Sequence, residues 1–531
     1  MHGQAKVKTS EEEKERKKKD REQKAKVYRD GMTKIFDKRK KCEFDDEALD
    51  LISDILITNP DIYTLWNFRK EILLTYKDKS HDDLACILSN EMRLTEMCLR
   101  ANPKSYCAWY HRLWLLDNMP YSDLEKELFL CTKYLKLDER NFHCWDYRRA
   151  VVAKLEVAPS EELDYTTVKI EENFSNYSSW HYRSQLLPLV YPDPSNLRPV
   201  DEPTHLKELE LVQAACFTDP SDSSSWFYLR WLLGRPSAQL SPVQAFISNK
   251  SLVCIFNQPV NKVDSPWSAF DEARYIWERP LNETEHGDEL TFSIKYNGEE
   301  KSISFQKDKV WSSQPVFDPP VSSALMSVLS STLDSSNQLL ELEPDSKWTL
   351  LTSIVLMQAI DKKKYRDVIL DRLSLLIKYD PYRKEYYNDL RSKFIMEEAL
   401  ECLVTSSEKV CLSNLSLTTL HHSHYLGFAK SVDLSKNNLR RALPMLGNLI
   451  NCEVLTMDEN NLASLKGFPK LPGLKRLFLR HNSLSIDNLR IYLSNNDLKE
   501  VDISGNPLTS EDVTNLSKEF NINIILNNQK N

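Results

Sequence analysis

The spacing of apolar and polar positions changes twice along the chain. Between residues 82 and 100, Leu84, Ile87, Leu88, Met92, Thr95 and Leu99 recur at every third or fourth place, which predicts an amphipathic helix with one face to bury. Near residue 290 the period becomes two. Leu290, Phe292, Ile294 and Tyr296 alternate with polar residues, Asn297-Gly298 supplies a turn, and Ile303 and Phe305 resume the alternation; that is the pattern of a β-hairpin. Residues 252–256 and 275–277 add short strands, so a small antiparallel sandwich of immunoglobulin-like type is expected over 237–322. From residue 406 onward a third pattern takes over. Leu474, Leu477, Leu479, Asn482 and Leu484 spell LxxLxLxxNxL, and Leu498, Val501, Ile503, Asn506 and Leu508 repeat it. With Asn437 and Asn460 included, the asparagines fall 23, 22 and 24 places apart, the period of leucine-rich repeats. Each asparagine is expected to bond backbone inside a coil filled by the leucines.

The helical part repeats one sentence centred on tryptophan: NPDIYTLWNFR at 59–69, NPKSYCAWYHR at 102–112, ERNFHCWDYR at 139–148, NFSNYSSWHYR at 173–183 and DPSDSSSWFYLR at 219–230. The tryptophans stand at 66, 109, 145, 180 and 226, so the intervals are 43, 36, 35 and 46 residues, the length of a helical hairpin. Asn59-Pro60, Asn102-Pro103 and Asp219-Pro220 are expected to open helices, with the polar residue as cap and proline in the first turn. One hairpin cannot cover its own apolar face, so successive hairpins must stack into a solenoid. The sentence returns as EPDSKW at 343–348 and DPYRKEYY at 380–387. The expected fold is therefore mainly α. A basic arm and first helix (1–44) precede helical repeats (45–236); the β-sandwich (237–322) interrupts them, the repeats resume (323–405), and leucine-rich repeats (406–531) follow.

Composition narrows the chemistry. The 531 residues include only 10 glycines, none between Gly31 and Gly234, and neither GxGxxG nor GxxxxGK[ST] occurs. A Rossmann turn and a P-loop are both excluded. Net charge is −8, which argues against general nucleic-acid affinity. The first 41 residues run the other way, with 12 lysines and 4 arginines against 8 acidic residues. Eleven cysteines without CxxC spacing, and no apolar leader, point to a reducing, cytoplasmic setting. No apolar run reaches about 18 residues and no CaaX cysteine stands at the end, so neither a transmembrane segment nor lipidation is expected.

Candidate sites follow from the repeats. Arg69, Arg112, Arg148 and Arg183 lie three places after their tryptophans and share a helical face with them. They either stack and pair structurally with acids of the adjacent hairpin or contact a ligand. Trp66, Trp109, Trp145, Trp180 and Trp226 read as core. Lys104 and Tyr106 sit where a cation could face outward near a helix start, a place suited to an anion; a solvated lysine is the plain alternative. His421, His422 and His424 look metal-like but lack cysteine or carboxylate neighbours at ligand spacing. His2, on the basic arm, could reach a partner's metal or belong to an unstructured terminus. No Ser/His/Asp, HExxH or Cys/His signature is present, so the chain holds no complete active site.

The tandem P-x5-W-x2-R hairpins resemble the repeats of protein prenyltransferase α subunits, over roughly residues 45–235 and 340–395. The extra β domain and leucine-rich repeats are similar to those of the type II branch, which modifies Rab GTPases. The resemblance implies a heterodimer in which a β subunit holds zinc and the lipid. There, a zinc-bound thiolate attacks C1 of geranylgeranyl diphosphate while cations stabilise the leaving diphosphate. Lys104, Tyr106, Ala108 and Trp109 fill the family's K-x-Y-x-A-W motif, which implies Lys104 on the diphosphate side. It further implies Rab acceptors with C-terminal CC or CXC cysteines, presented by a Rab escort protein, and a chain inert alone. The fifth repeat has Leu229 at the arginine position and Arg230 one place later, so no role is carried to it. Two rivals remain: an α subunit of a CaaX-type farnesyl or geranylgeranyl transferase, which the extra domains oppose, and a noncatalytic helical scaffold, which the irregular intervals oppose.

Overall fold

The computed structural model describes residues 11–76, 80–196, 198–234, 239–248, 250–270, 272–281, 288–317, 321–404, 407–493 and 498–526. They divide into two compact units, Met1–Pro192 with Ser223–Tyr228, and Asp193–Asp222 with Leu229–Asn531.

The first unit is helical. After α1 (Glu11–Lys40) come the hairpins α2 (Asp46–Thr58) with α3 (Tyr63–Leu74), α4 (His81–Ala101) with α5 (Tyr106–Asn118), α6 (Leu124–Leu137) with α7 (Phe142–Leu155), and α8 (Pro159–Glu172) with α9 (Tyr177–Val190). The Asn-Pro pairs do not open helices. Asn59 and Asn102 close α2 and α4, and α3 and α5 begin only at Tyr63 and Tyr106. The reason is local: an asparagine side chain can cap a helix or close a turn over its own backbone. Here Asn102 Oδ1 accepts from Lys104 N at 3.1 Å, and Asn59 Oδ1 from Asp61 N at 3.4 Å. The true N-caps come three places later, as Ser105, Asn141 and Asn176, which accept from the backbone N–H of Ala108, Cys144 and Ser179.

This turn explains the tryptophan spacing. In each hairpin the indole Nε1 donates to the carbonyl six residues earlier: Trp66 to Pro60 and Trp109 to Pro103 at 2.8 Å, Trp145 to Glu139 at 2.8 Å, and Trp180 to Phe174 at 2.7 Å. A buried indole N–H needs a partner, so its position relative to the turn is fixed. Two of these carbonyls serve twice, since Ser105 Oγ donates to Pro60 O at 3.2 Å and Asn141 Nδ2 to Pro103 O at 2.9 Å. The first hairpin is thereby stitched to the second and the second to the third.

The arginines complete the stack. Arg112 of α5 makes two 2.7 Å bonds to Glu127 of α6, while its Nη1 donates to Met92 O and Thr95 Oγ1 of α4. Arg69 does the same between Glu91 of α4 and Leu49 O and Ser53 of α2. Arg148 joins Glu162 of α8 to Thr132 of α6. Burial would raise the Glu91 carboxyl, but His111 and Arg69 outweigh it and hold the group down at about 2.

In the second unit, α10 (Glu202–Thr218), α12 (Ser323–Leu342), α13 (Lys347–Asp361), α14 (Arg366–Tyr379) and α15 (Lys384–Glu401) are helical, and α11 (Ser223–Leu232) is shared with the first unit. The six-residue rule persists where tryptophan does not. Six places after Pro344 the buried residue is Leu350, and six after Pro381 it is Tyr387. Trp348, expected to mark the returning repeat, lies off that position and is only half-buried.

The β segment forms two sheets around one core. Strands β1 (Pro242–Ser248), β2 (Ser251–Phe256), β3 (Ser268–Ala269), β4 (Ile276–Pro280) and β7 (Trp311–Ser312) order as β3-β4-β2-β1-β7; β5 (Glu289–Tyr296) pairs with β6 (Glu299–Gln306). Asn297 (φ 46°) and Gly298 (φ 88°) make the two-residue turn, the left-handed geometry that this pair of residue types suits. Leu252, Cys254, Phe256 and Trp277 from one sheet share a core with Leu290, Phe292, Ile303 and Phe305 from the other.

Six short parallel strands follow: β8 (Lys409–Cys411), β9 (Ser431–Asp433), β10 (Val454–Thr456), β11 (Arg476–Phe478), β12 (Glu500–Asp502) and β13 (Asn523–Ile525), with α16 (Ile486–Leu493) and α17 (Ser510–Phe520) between the last three. The buried Asn482 donates to Met457 O and Leu479 O and accepts from Asn460 N and Leu462 N, all within 2.9–3.1 Å. Asn437, Asn460 and Asn506 are bonded to backbone in the same manner. The β segment packs on this coil through Gln244 Nε2, which donates to Tyr425 O at 2.8 Å, and through Tyr275, stacked on His424 at 4.3 Å.

Candidate functional site

The turn between α4 and α5 carries the candidate residue Lys104, and Tyr106 opens the helix that follows. Asn102 folds back over the turn and Ser105 caps α5, so the backbone between them is pinned at both ends. Lys104 projects from this turn, its side chain 65% exposed, with Nζ 3.0 Å from Asp138 Oδ2 at the end of α6. A cation beside a helix start, held by one solvent-facing carboxylate, can exchange that carboxylate for another anion.

Tyr106, the first residue of α5, is exposed, and its ring meets His143 of α7 edge-on at 4.1 Å and Phe142 at 5.9 Å. Burial lowers the pKa of His143, and Lys104 adds to this while Asp146 and Asp61 oppose it. His143 was not legible as a candidate from its own surroundings. The signal was in the repeat: two places before the tryptophan the other hairpins carry Thr64, Cys107 and Ser178, and only the third carries an imidazole.

The neighbouring α3, α7 and α9 begin like α5, with an aromatic residue three places before tryptophan. Tyr63, Tyr106, Phe142 and Tyr177 are all exposed, by 49% to 68%. Lys70 adds a cation to this set, standing 4.4 Å over the ring of Tyr110 and 5.3 Å over Trp114. Burial lowers its pKa, with Cys107 opposing.

Arg69, Arg112, Arg148 and Arg183 are buried in the stack, facing Thr, Ser, Glu and backbone acceptors of adjacent helices. Trp66, Trp109, Trp145, Trp180 and Trp226 are each at most 4% exposed. Their glutamate partners were missed because the distance from each arginine varies. Counted backward from the next tryptophan it does not: Glu91, Glu127 and Glu162 each lie 18 places before Trp109, Trp145 and Trp180.

His2 lies outside the described residues. His422 sits 3.3 Å from Glu397 and His424 is buried in aromatic contacts. Among the described residues no group of three or more His, Cys, Asp or Glu side chains could hold a metal ion, and no helix is long and apolar enough to cross a membrane.

Residues 45–76, 88–119, 124–155, 159–189 and 205–236 match the model of the protein prenyltransferase alpha subunit repeat. Among curated proteins, the geranylgeranyl transferase type-2 subunit alpha of Rattus norvegicus is 41% identical over 520 residues, covering 91% of this chain and 92% of that one. The protein of the same name from Homo sapiens is 40% identical over 545 residues, covering 96% of each. That from Dictyostelium discoideum is 32% identical over 397 residues, covering 74% of this chain and all of its own length.

Proposed function

Since the chain belongs to the geranylgeranyl transferase type-2 α-subunit family, we propose that it works as the α subunit of a heterodimer that moves a geranylgeranyl group from geranylgeranyl diphosphate to C-terminal cysteines of Rab GTPases, which an escort protein presents in the cytoplasm. Identity of about 40% along nearly the whole chain carries this reading.

The incomplete site fits a shared one. The zinc chemistry, which lowers the acceptor thiol's pKa, belongs to the partner subunit. This chain contributes fixed charge and an aromatic border. Lys104, tethered by its turn, meets negative charge as it develops on the leaving diphosphate, where a preorganised cation costs little reorganisation. Tyr106 and the less basic His143 flank it with N–H and O–H donors. The exposed row Tyr63, Tyr106, Phe142 and Tyr177 supplies the kind of aromatic surface on which a partner subunit docks.

Residues 45–236 and 323–405 are read as the prenyltransferase repeats. The two sheets that share one core support an immunoglobulin-like sandwich at 237–322, and the asparagine ladder supports leucine-rich repeats at 406–531.

Co-expression with a candidate β subunit, followed by transfer of labelled geranylgeranyl to a Rab with and without escort protein, tests the proposal. Transfer is expected from the heterodimer with escort, and none from this chain alone. Lys104→Ala is expected to slow transfer about 10- to 100-fold with the heterodimer intact, and Lys104→Arg to restore part of it. Transfer by the isolated chain, or unchanged turnover in Lys104→Ala, would overturn the respective assignment.

A further inference from the structure

Among the described side chains, those that anchor helix α1 lie in its last turns. Ile35 is fully buried, Gly31 faces Ile55, Lys38 bonds Asp45 at 2.8 Å, and Arg39 Nε donates to Glu71 at 3.0 Å. The preceding stretch is different in kind. Residues 14–29 carry nine Lys and Arg against three acidic residues, in a chain whose net charge is −8. Arg16, Lys18, Lys19, Lys26 and Arg29 are exposed, and so are Val27 and Tyr28. Among the described side chains only Lys19 of these five has a carboxylate near it, Glu15 at 3.8 Å.

We propose that this basic stretch of α1 is a docking element for an anionic lipid surface. Its charge demands an acidic occupant, and its arrangement favours a membrane over a folded protein. Among the described side chains Lys18, Lys19, Lys26 and Arg29 fall within a sector of about 100° around the helix, with Arg16 just outside it, a straight basic face that a planar leaflet can meet along its length. A fluid anionic leaflet answers to the summed potential of several lysines and arginines, whatever their register. The stretch has no continuous apolar face, so attraction is electrostatic, with Val27 and Tyr28 as minor contacts at the interface. The choice of a membrane also rests on the transferase reading, because a C20 isoprenoid diphosphate and a geranylgeranylated product both partition into bilayers.

The test is flotation of the complete heterodimer with vesicles of phosphatidylcholine and phosphatidylserine (7:3) against phosphatidylcholine alone. Partition to the anionic vesicles is expected to be at least about 10-fold greater, and to fall about 10-fold in 0.5 M salt, where screening is short-ranged. The variant Arg16→Gln/Lys18→Gln/Lys19→Gln/Lys26→Gln should lose the preference, with its helical circular dichroism unchanged as a folding control. Equal partition to both vesicles, salt-independent binding by the native protein, an unaffected variant, or binding to poly-glutamate with none to vesicles would each overturn the proposal. Flotation is read without turnover, so failure of the transferase assay and failure of this inference are separate results.

Discussion

Arg112 and Glu127 face each other with side chains 4% and 5% exposed, and Tyr147 donates a further bond to the same carboxylate at 2.7 Å. A pair this buried is costly to break from one side, because the remaining charge has lost its water as well as its partner. Arg112→Leu should therefore destabilise the helical fold by about 3–5 kcal/mol, and Arg112→Leu combined with Glu127→Leu by much less. Urea denaturation of the single and double variants measures both; a single-variant loss under about 1 kcal/mol would mean that solvent reaches the pair. The arginines were legible from their constant distance to tryptophan, and pairing with acids of the adjacent hairpin was one of the two readings that spacing offered; which glutamate each one takes was not legible. Whether a guanidinium turns toward a ligand or into the stack depends on a glutamate contributed by another helix, and the loop lengths that carry it there vary.

The six-residue link from carbonyl to indole shows why some elements could be read directly. It is covalently short, so it leaves a fixed interval in the sequence, and the helical hairpins followed from it. Asn59 and Asn102 misled because the same side chain serves equally as cap and as turn-closer, and only the N-cap positions of the next helices, Ile62 and Ser105, reveal which. The return of the hairpin at 343–348 was readable from the EPDSKW segment, but Leu350, not Trp348, holds the buried position six places after the turn proline. The asparagine period was as readable as the tryptophan one, for a similar reason. One side chain closes several backbone bonds per turn of the parallel coil. Asn482→Ala strands buried donors and acceptors and should cost about 3–5 kcal/mol. The exposed Asn438→Ala should cost less than about 1 kcal/mol. Comparison of their thermal denaturation midpoints distinguishes the two, and equal shifts would contradict a special role for Asn482.

The whole chain's stability should carry a pH signature from one imidazole. His424 is 4% exposed with Nε2 unpartnered, and burial, aided by the charge of His422, pushes its pKa down to about 3. Because the native pKa lies below the unfolded value of about 6.5, the unfolded chain binds more protons between these limits. This contribution is complete above pH 6.5 and is lost by about 1.4 kcal/mol per unit as pH falls toward 3. His424→Phe should flatten the difference in unfolding free energy between pH 7.5 and 5.5 by about 1.4 kcal/mol, as read by denaturant titration at each pH; an unchanged slope would remove His424 from the account. The Pro60 and Pro103 carbonyls, each gripped by an indole of its own hairpin and a cap of the following one, carry a different lesson. They give the helical array a grammar. A residue spliced in between Pro103 and Trp109 would loosen two seams at once, whereas a whole hairpin spliced in as a block would bring its own acceptor and donor and leave every seam closed.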